Sequence, residues 1–146
     1  MYYKEAENKI KIIIAESSNV LTDIVKFLFD NFDHYCWVGI YIVEGNELVL
    51  GPWKGPHATE HTRIPIGHGI CGAAASSGKT EIIQDVNSDS RYLSCFVSTK
   101  SEIVVPIIKN GKILAEIDID SDEINVFTKE DEQFLERVAD MLKEHI

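Results

Sequence analysis

Asn110-Gly111 separates two runs rich in β-branched residues, 103–108 and 113–120. An Asn-Gly pair reaches positive φ at little cost, and the twist of such a two-residue turn matches that of the paired strands it joins. Residues 103–120 are therefore expected to form an antiparallel hairpin, and any fold for this chain has to be built on an antiparallel sheet. The second run also constrains chemistry. Side chains on a strand alternate between faces, so Ala115, Ile117 and Ile119 share one face and Glu116, Asp118 and Asp120 share the other. A solvated face would make this row of acids ordinary, since charged residues are mostly exposed. A face lining a pocket would instead crowd like charges, raise their pKa values and invite an ammonium group or a metal ion.

The rest of the chain supplies what such a sheet needs. Residues 3–16 suit a short helix. Residues 19–32 repeat Val20, Leu21, Ile24, Val25, Leu28, Phe29 and Phe32 at helical spacing. Residues 37–43 and 47–50 read as strands about a Gly45-Asn46 turn, and Gly51-Pro52-Trp53-Lys54-Gly55-Pro56 is expected to break regular structure. An open loop at 57–62 leads to a short strand at 63–66. The Gly67-His68-Gly69-Ile70-Cys71-Gly72 turn feeds a short helix that Gly78 ends. A strand at 81–84 and a long functional loop at 85–100 precede the hairpin. Thr128 caps a last helix, with Asp131 at the capping-box position. The expectation is one α+β domain over 1–146, with a helical segment at about 1–33 and a core at about 35–146. Its antiparallel central sheet would carry the N- and C-terminal helices packed on one side.

Composition excludes several functions. A net charge of −10 opposes contact with nucleic-acid phosphates or an anionic membrane. The best apolar run, Ile12-Ile13-Ile14-Ala15, is far too short to span a bilayer. Residues 1–20 lack the pattern of a secretory signal, so a cytoplasmic location is expected. The three cysteines, Cys36, Cys71 and Cys95, are too few for a disulfide scaffold and lack Cys-x-x-Cys spacing. Asp118-x-Asp120-x-Asp122 imitates the start of a calcium loop. Glu123 and Lys129 stand where Gly and Glu are required, so a calcium loop is rejected; a magnesium site is a weak alternative, and no metal is carried into the expected site.

Cys95 falls in the long loop, seven residues before Glu102. Nearby acids would raise its pKa, and a cationic substrate bound to them would offset that. Cys71 opens a helix, where the dipole lowers a thiol pKa, although a buried structural role is an equal alternative. Cys36 reads as packing. Trp37 and Tyr41 share a strand face as core aromatics or as one wall of a pocket. His57 and His61 flank a loop able to close over a site.

A longer pattern joins these residues. Gly39-Ile40-Tyr41, Leu50-Gly51-Pro52-Trp53, the run from Arg63 through Gly72, Asp85-Val86, Cys95, Ser101-Glu102-Ile103-Val104-Val105-Pro106 and Ile117-Asp118-Ile119-Asp120-Ser121 together resemble the free methionine-R-sulfoxide reductases. Those are single-domain GAF proteins. The resemblance implies a GAF fold and a catalytic, sulfenic-acid-forming Cys95. It also implies Glu102, Asp118 and Asp120 as the substrate's acidic cradle and Trp37 and Tyr41 as an aromatic wall. Cys71 becomes a second redox cysteine, with a thioredoxin-like, NADPH-coupled reductant in place of any bound cofactor. Separately from the resemblance, the helices at 3–32 and 128–145 could support a homodimer, which is the expected assembly, although amphipathic faces alone do not reveal a partner. Two departures from the family pattern matter. His61 stands where many members carry their usual resolving cysteine, and Leu93-Ser94-Cys95-Phe96-Val97 lacks the Ala and Asp that often flank the nucleophile. The competing class is a GAF module that binds a small molecule without catalysis.

Overall fold

The computed structural model describes residues 2–93 and 98–146. Four helices, α1 (Tyr3–Glu16), α2 (Val20–Asn31), α3 (Gly69–Ser77) and α4 (Lys129–Leu142), surround six strands. These are β1 (Trp37–Glu44), β2 (Glu47–Lys54), β3 (Arg63–Pro65), β4 (Glu81–Ile83), β5 (Ser101–Lys109) and β6 (Lys112–Ser121). They form one sheet in the order β3-β2-β1-β6-β5-β4, with every neighbouring pair antiparallel. The β5–β6 hairpin turns on Asn110 and Gly111, both at positive φ, as the Asn-Gly pair requires.

Register divides the sheet into two chemically different faces. On one face, Val38, Ile119 and Ile103 lie in a row across β1, β6 and β5. Ile40, Ile117 and Val105 make the next row, and Ile42, Ala115 and Ile107 the third. Helices α1, α2 and α4 cover this face with Ile10, Leu28, Phe134 and Leu135, among others. Each such fully buried side chain contributes roughly 2 kcal/mol, and this layer drives folding. On the opposite face the rows read Trp37–Asp120–Glu102, Gly39–Asp118–Val104 and Tyr41–Glu116–Pro106. There α3 and the loops around it form the lid, with Ile70, Cys71 and Ala74 turned inward.

One expectation needs correction. Residues 51–54 do not break regular structure but continue β2 to Lys54. Register slips between Gly39 and Tyr41, which pair with Trp53 and Leu50. Gly51 and Pro52 therefore share a bulge opposite Ile40, where the missing Pro52 N–H breaks no ladder bond. Of the two readings left open for the acidic face of β6, the enclosed one holds: Glu116, Asp118 and Asp120 are all buried. The last helix starts as expected, with a capping box joining Thr128 and Asp131. No helix among the described residues is long and apolar enough to cross a membrane.

Candidate functional site

Three strands and one helix bring the site together. Strand β6 presents Glu116, Asp118 and Asp120 at alternate positions, and β5 places Glu102 directly across from Asp120. Strand β1 sets Trp37 opposite Asp120 and Tyr41 opposite Glu116. Cys71, in the first turn of α3, comes down onto the acids with its Sγ 4.0 Å from Glu102 Oε2. One donor atom from each of Cys71, Glu102 and Asp118 lies within 4.8 Å of the others. The site therefore unites Cys71, Glu102, Asp118, Asp120, Trp37 and Tyr41, together with Glu116, a fourth buried acid. Cys95 lies outside the described residues.

Burial dominates the electrostatics. Glu116 is 0% exposed, Asp118 2%, Asp120 3% and Glu102 4%. Among the described residues, no Lys or Arg pairs with Glu116, Asp118 or Asp120. The cations are spent at the surface in pairs such as Arg91–Glu81 and Arg137–Glu7. Both oxygens of Glu116 and one each of Asp118 and Asp120 have no hydrogen-bond partner there. Burial pushes the carboxyls of Glu116, Asp118 and Asp120 up, and the charge of Asp118 raises its two neighbours further. The Cys71 thiol is pushed up as well, first by burial and then by Asp118, Glu116, Glu102 and Asp120. Of the two readings of Cys71, this favours the buried thiol over one activated by the helix terminus: burial and then four acids push it opposite to the direction a helix dipole would.

Aromatic side chains close the site from the β1 side. The Tyr41 hydroxyl donates to the His61 carbonyl at 2.7 Å, and Trp37 Nε1 donates to the His57 carbonyl at 3.2 Å. These two bonds latch the 57–61 loop over the acids through its backbone, so the histidine side chains are not what the latch reads. Trp37 stacks on Trp53 with ring centroids 6.0 Å apart. Its ring can lie there only because residues 39 and 55 are glycines: a Cβ would come within 2.4 Å of it at Gly39 and 2.3 Å at Gly55. A cavity of about 10 Å³ remains among Tyr41, His68, Cys71, Leu93, Glu102 and Asp118. A groove of about 460 Å³ between Thr80 and α4 carries Glu132 and Glu136 but none of the buried acids. Chemistry therefore places the candidate site in the smaller space.

Glu116 shares the face of Asp118 and Asp120, as alternation along β6 requires, and joins the site although it is not among the residues expected there. The period-two pattern was sufficient signal. The loop latches had none, because both acceptors are backbone carbonyls.

Comparison with known proteins identifies the family and the fold. The family model described as "GAF domain" matches residues 17–146. GAF domain-containing protein A of Dictyostelium discoideum is 41% identical over 134 residues, covering 90% of this chain and 83% of the relative. Free methionine-R-sulfoxide reductase of Escherichia coli is 31% identical over 145 residues, covering 97% of this chain and 87% of that protein. The crystal structure of free methionine-R-sulfoxide reductase from Neisseria meningitidis in complex with its substrate superimposes with a TM-score of 0.91 at 33% identity. That match covers 97% of this chain and 86% of the other.

Proposed function

The chain belongs to the GAF domain family, in its free methionine-R-sulfoxide reductase branch, and from that membership we propose that it reduces free methionine-R-sulfoxide to methionine with electrons from thiols. The observation that carries this reading is the row Glu116, Asp118 and Asp120, buried with no Lys or Arg paired to them among the described residues, beside a thiol and two aromatics. Such a row stays ionised only at a cost, and the ammonium of a free amino acid removes that cost. A peptide-bound residue has an uncharged amide nitrogen and cannot do so.

In the proposed reaction the Cys95 thiolate attacks the sulfoxide sulfur. This forms a sulfur–sulfur bond, and the sulfur–oxygen bond breaks as the protonated oxygen leaves as water; a water then attacks the Cys95 sulfur and breaks the sulfur–sulfur bond, so that methionine leaves with its sulfur reduced and Cys95 becomes a sulfenic acid. A protonated carboxyl of the cluster supplies the proton that the departing oxygen needs, while another carboxylate holds the ammonium. The upward push on Asp118 and Asp120 suits that division of roles. Cys71 or an external thiol then condenses with the sulfenic acid, forming a disulfide and water, and a thioredoxin-like dithiol reduces the disulfide. The raised Cys71 pKa slows it as an attacking thiolate and favours help from an external thiol. Admission of substrate requires the cover over the acids to open, since the enclosed space is far smaller than an amino acid. Action in the cytoplasm and assembly into a homodimer through the terminal helices belong to the same proposal.

The test is NADPH oxidation coupled to thioredoxin, with free methionine-R-sulfoxide, the free S form and an N-acetylated R form. Turnover restricted to the free R form, and abolished in Cys95→Ser, is the expected result. Equal turnover of the N-acetylated form would refute the ammonium-reading role of the acids. Silence with both thioredoxin and dithiothreitol would refute the enzyme and leave a binding module.

A further inference from the structure

We propose that the acid cluster is also a binding site for one thiophilic divalent cation, Zn²⁺ or Cd²⁺, held by Cys71 Sγ, Glu102 and Asp118. The three donors come from three different elements, α3, β5 and β6, and already lie within 4.8 Å of one another. Zinc at its usual bond lengths separates a sulfur and an oxygen ligand by about 3.5 Å, so side-chain rotation alone brings the set into range. An independent observation points to a ligand at the same place. Asp118 Oδ1 and both oxygens of Glu116 are buried and have no hydrogen-bond partner among the described residues. The cavity there, about 10 Å³ and lined by His68 and Leu93 as well, matches one water-sized particle. A single ion fits that space without opening the loop, and an amino acid does not.

The donor set selects the class of metal. Calcium takes six to eight oxygens, and magnesium keeps several waters in a strict octahedron, which this closed site has no room for. A thiolate with carboxylates favours zinc or cadmium. Coordination displaces the Cys71 proton to solvent, so affinity rises with pH through the range in which the thiol is otherwise protonated. Because Glu102 and Asp118 serve both, a metal ion and an ammonium group exclude each other. The metal also caps Cys71. The site is thus a point at which thiophilic metal would silence the chain, and its existence does not depend on the reductase reading.

Cadmium is the probe for the experiment, because each thiolate it binds adds an ultraviolet charge-transfer band. Titration into the reduced full chain is expected to saturate at one equivalent. The band should vanish in Cys71→Ser and persist in Cys36→Ser and Cys95→Ser. Asp118→Asn keeps every thiol and should weaken binding at least about tenfold, with a native circular-dichroism spectrum excluding misfolding. Calorimetry with Zn²⁺ alone should reproduce the stoichiometry. A band that survives Cys71→Ser, one that is lost in Cys95→Ser or Cys36→Ser, or no band in the parent chain would each overturn the site.

Discussion

Asp131 and Asp118 are both buried aspartates, 0% and 2% exposed, yet their surroundings drive them in opposite directions. Asp131 is surrounded by donors. Tyr35 OH at 2.7 Å and Tyr3 OH at 2.9 Å donate to its Oδ1, where His34 Nε2 also lies at 2.9 Å, and the Thr128 amide donates to Oδ2 at 2.8 Å. Against the cost of burial, these contacts hold its carboxyl down at about 2. Asp118 has an oxygen with no partner among the described residues, and burial pushes its carboxyl up. One aspartate joins α1, the chain entering β1, and α4 into a single unit. The other is left wanting a cation. A buried charge that the fold satisfies is architecture, and one that the fold leaves unsatisfied marks where a ligand belongs.

The largest effect expected from this contrast is at the satisfied acid. Asp131→Asn removes the charge while its donors stay buried, and should destabilise by about 3 kcal/mol, read as a drop in the urea midpoint at unchanged slope. A loss below about 1 kcal/mol would show that the hub is ornamental and would break the comparison.

The two acids differed in how legible they were beforehand. Thr128 and Asp131 stood at capping-box spacing, so the helix start and its acid could be read directly, as could both hairpins and the apolar face of α2. The tyrosines and His34 that complete the Asp131 hub come from positions 3, 34 and 35, and no local pattern links them to residue 131. On β6, alternation placed Glu116, Asp118 and Asp120 on one face but could not say whether that face met water. Burial there depends on α3 and the 57–61 loop folding over it, a tertiary event. Residues 51–54 were misread because Gly and Pro signal a break equally well in a loop and in a bulge. The state of the Cys71 thiol stayed open because a helix terminus is visible in sequence, whereas burial and four converging carboxylates are not.

Acid titration separates the two regions next. The carboxyl of Asp131 is depressed in the fold, so its contribution is complete above about pH 4, the ordinary aspartate value, and is lost as pH falls toward about 2. That loss amounts to about 2 kcal/mol and should be absent from Asp131→Asn, whose stability is then flatter across the acid limb. An acid limb of the same depth in both proteins would assign the transition to other carboxylates.

The smallest effect carries the opposite sign. Asp118 has a raised carboxyl, so the substrate-free protein loses stability as pH rises from about 4 through the elevated folded value, and stays at the lower level above it. Asp118→Asn removes that penalty and should raise the stability of the substrate-free protein by about 1 kcal/mol at pH 7, with no gain below about pH 4. Glu116→Gln should behave alike, because both of its oxygens are buried without partners among the described residues. The same Asp118 variant should bind free methionine sulfoxide at least about tenfold more weakly, which calorimetry measures directly. A stabilised protein that binds less is what an unsatisfied functional charge predicts. If Asp118→Asn instead destabilises at pH 7, as Asp131→Asn does, then Asp118 is already satisfied by the fold. The distinction between an acid that builds the protein and one that waits for a ligand would then fail at this residue.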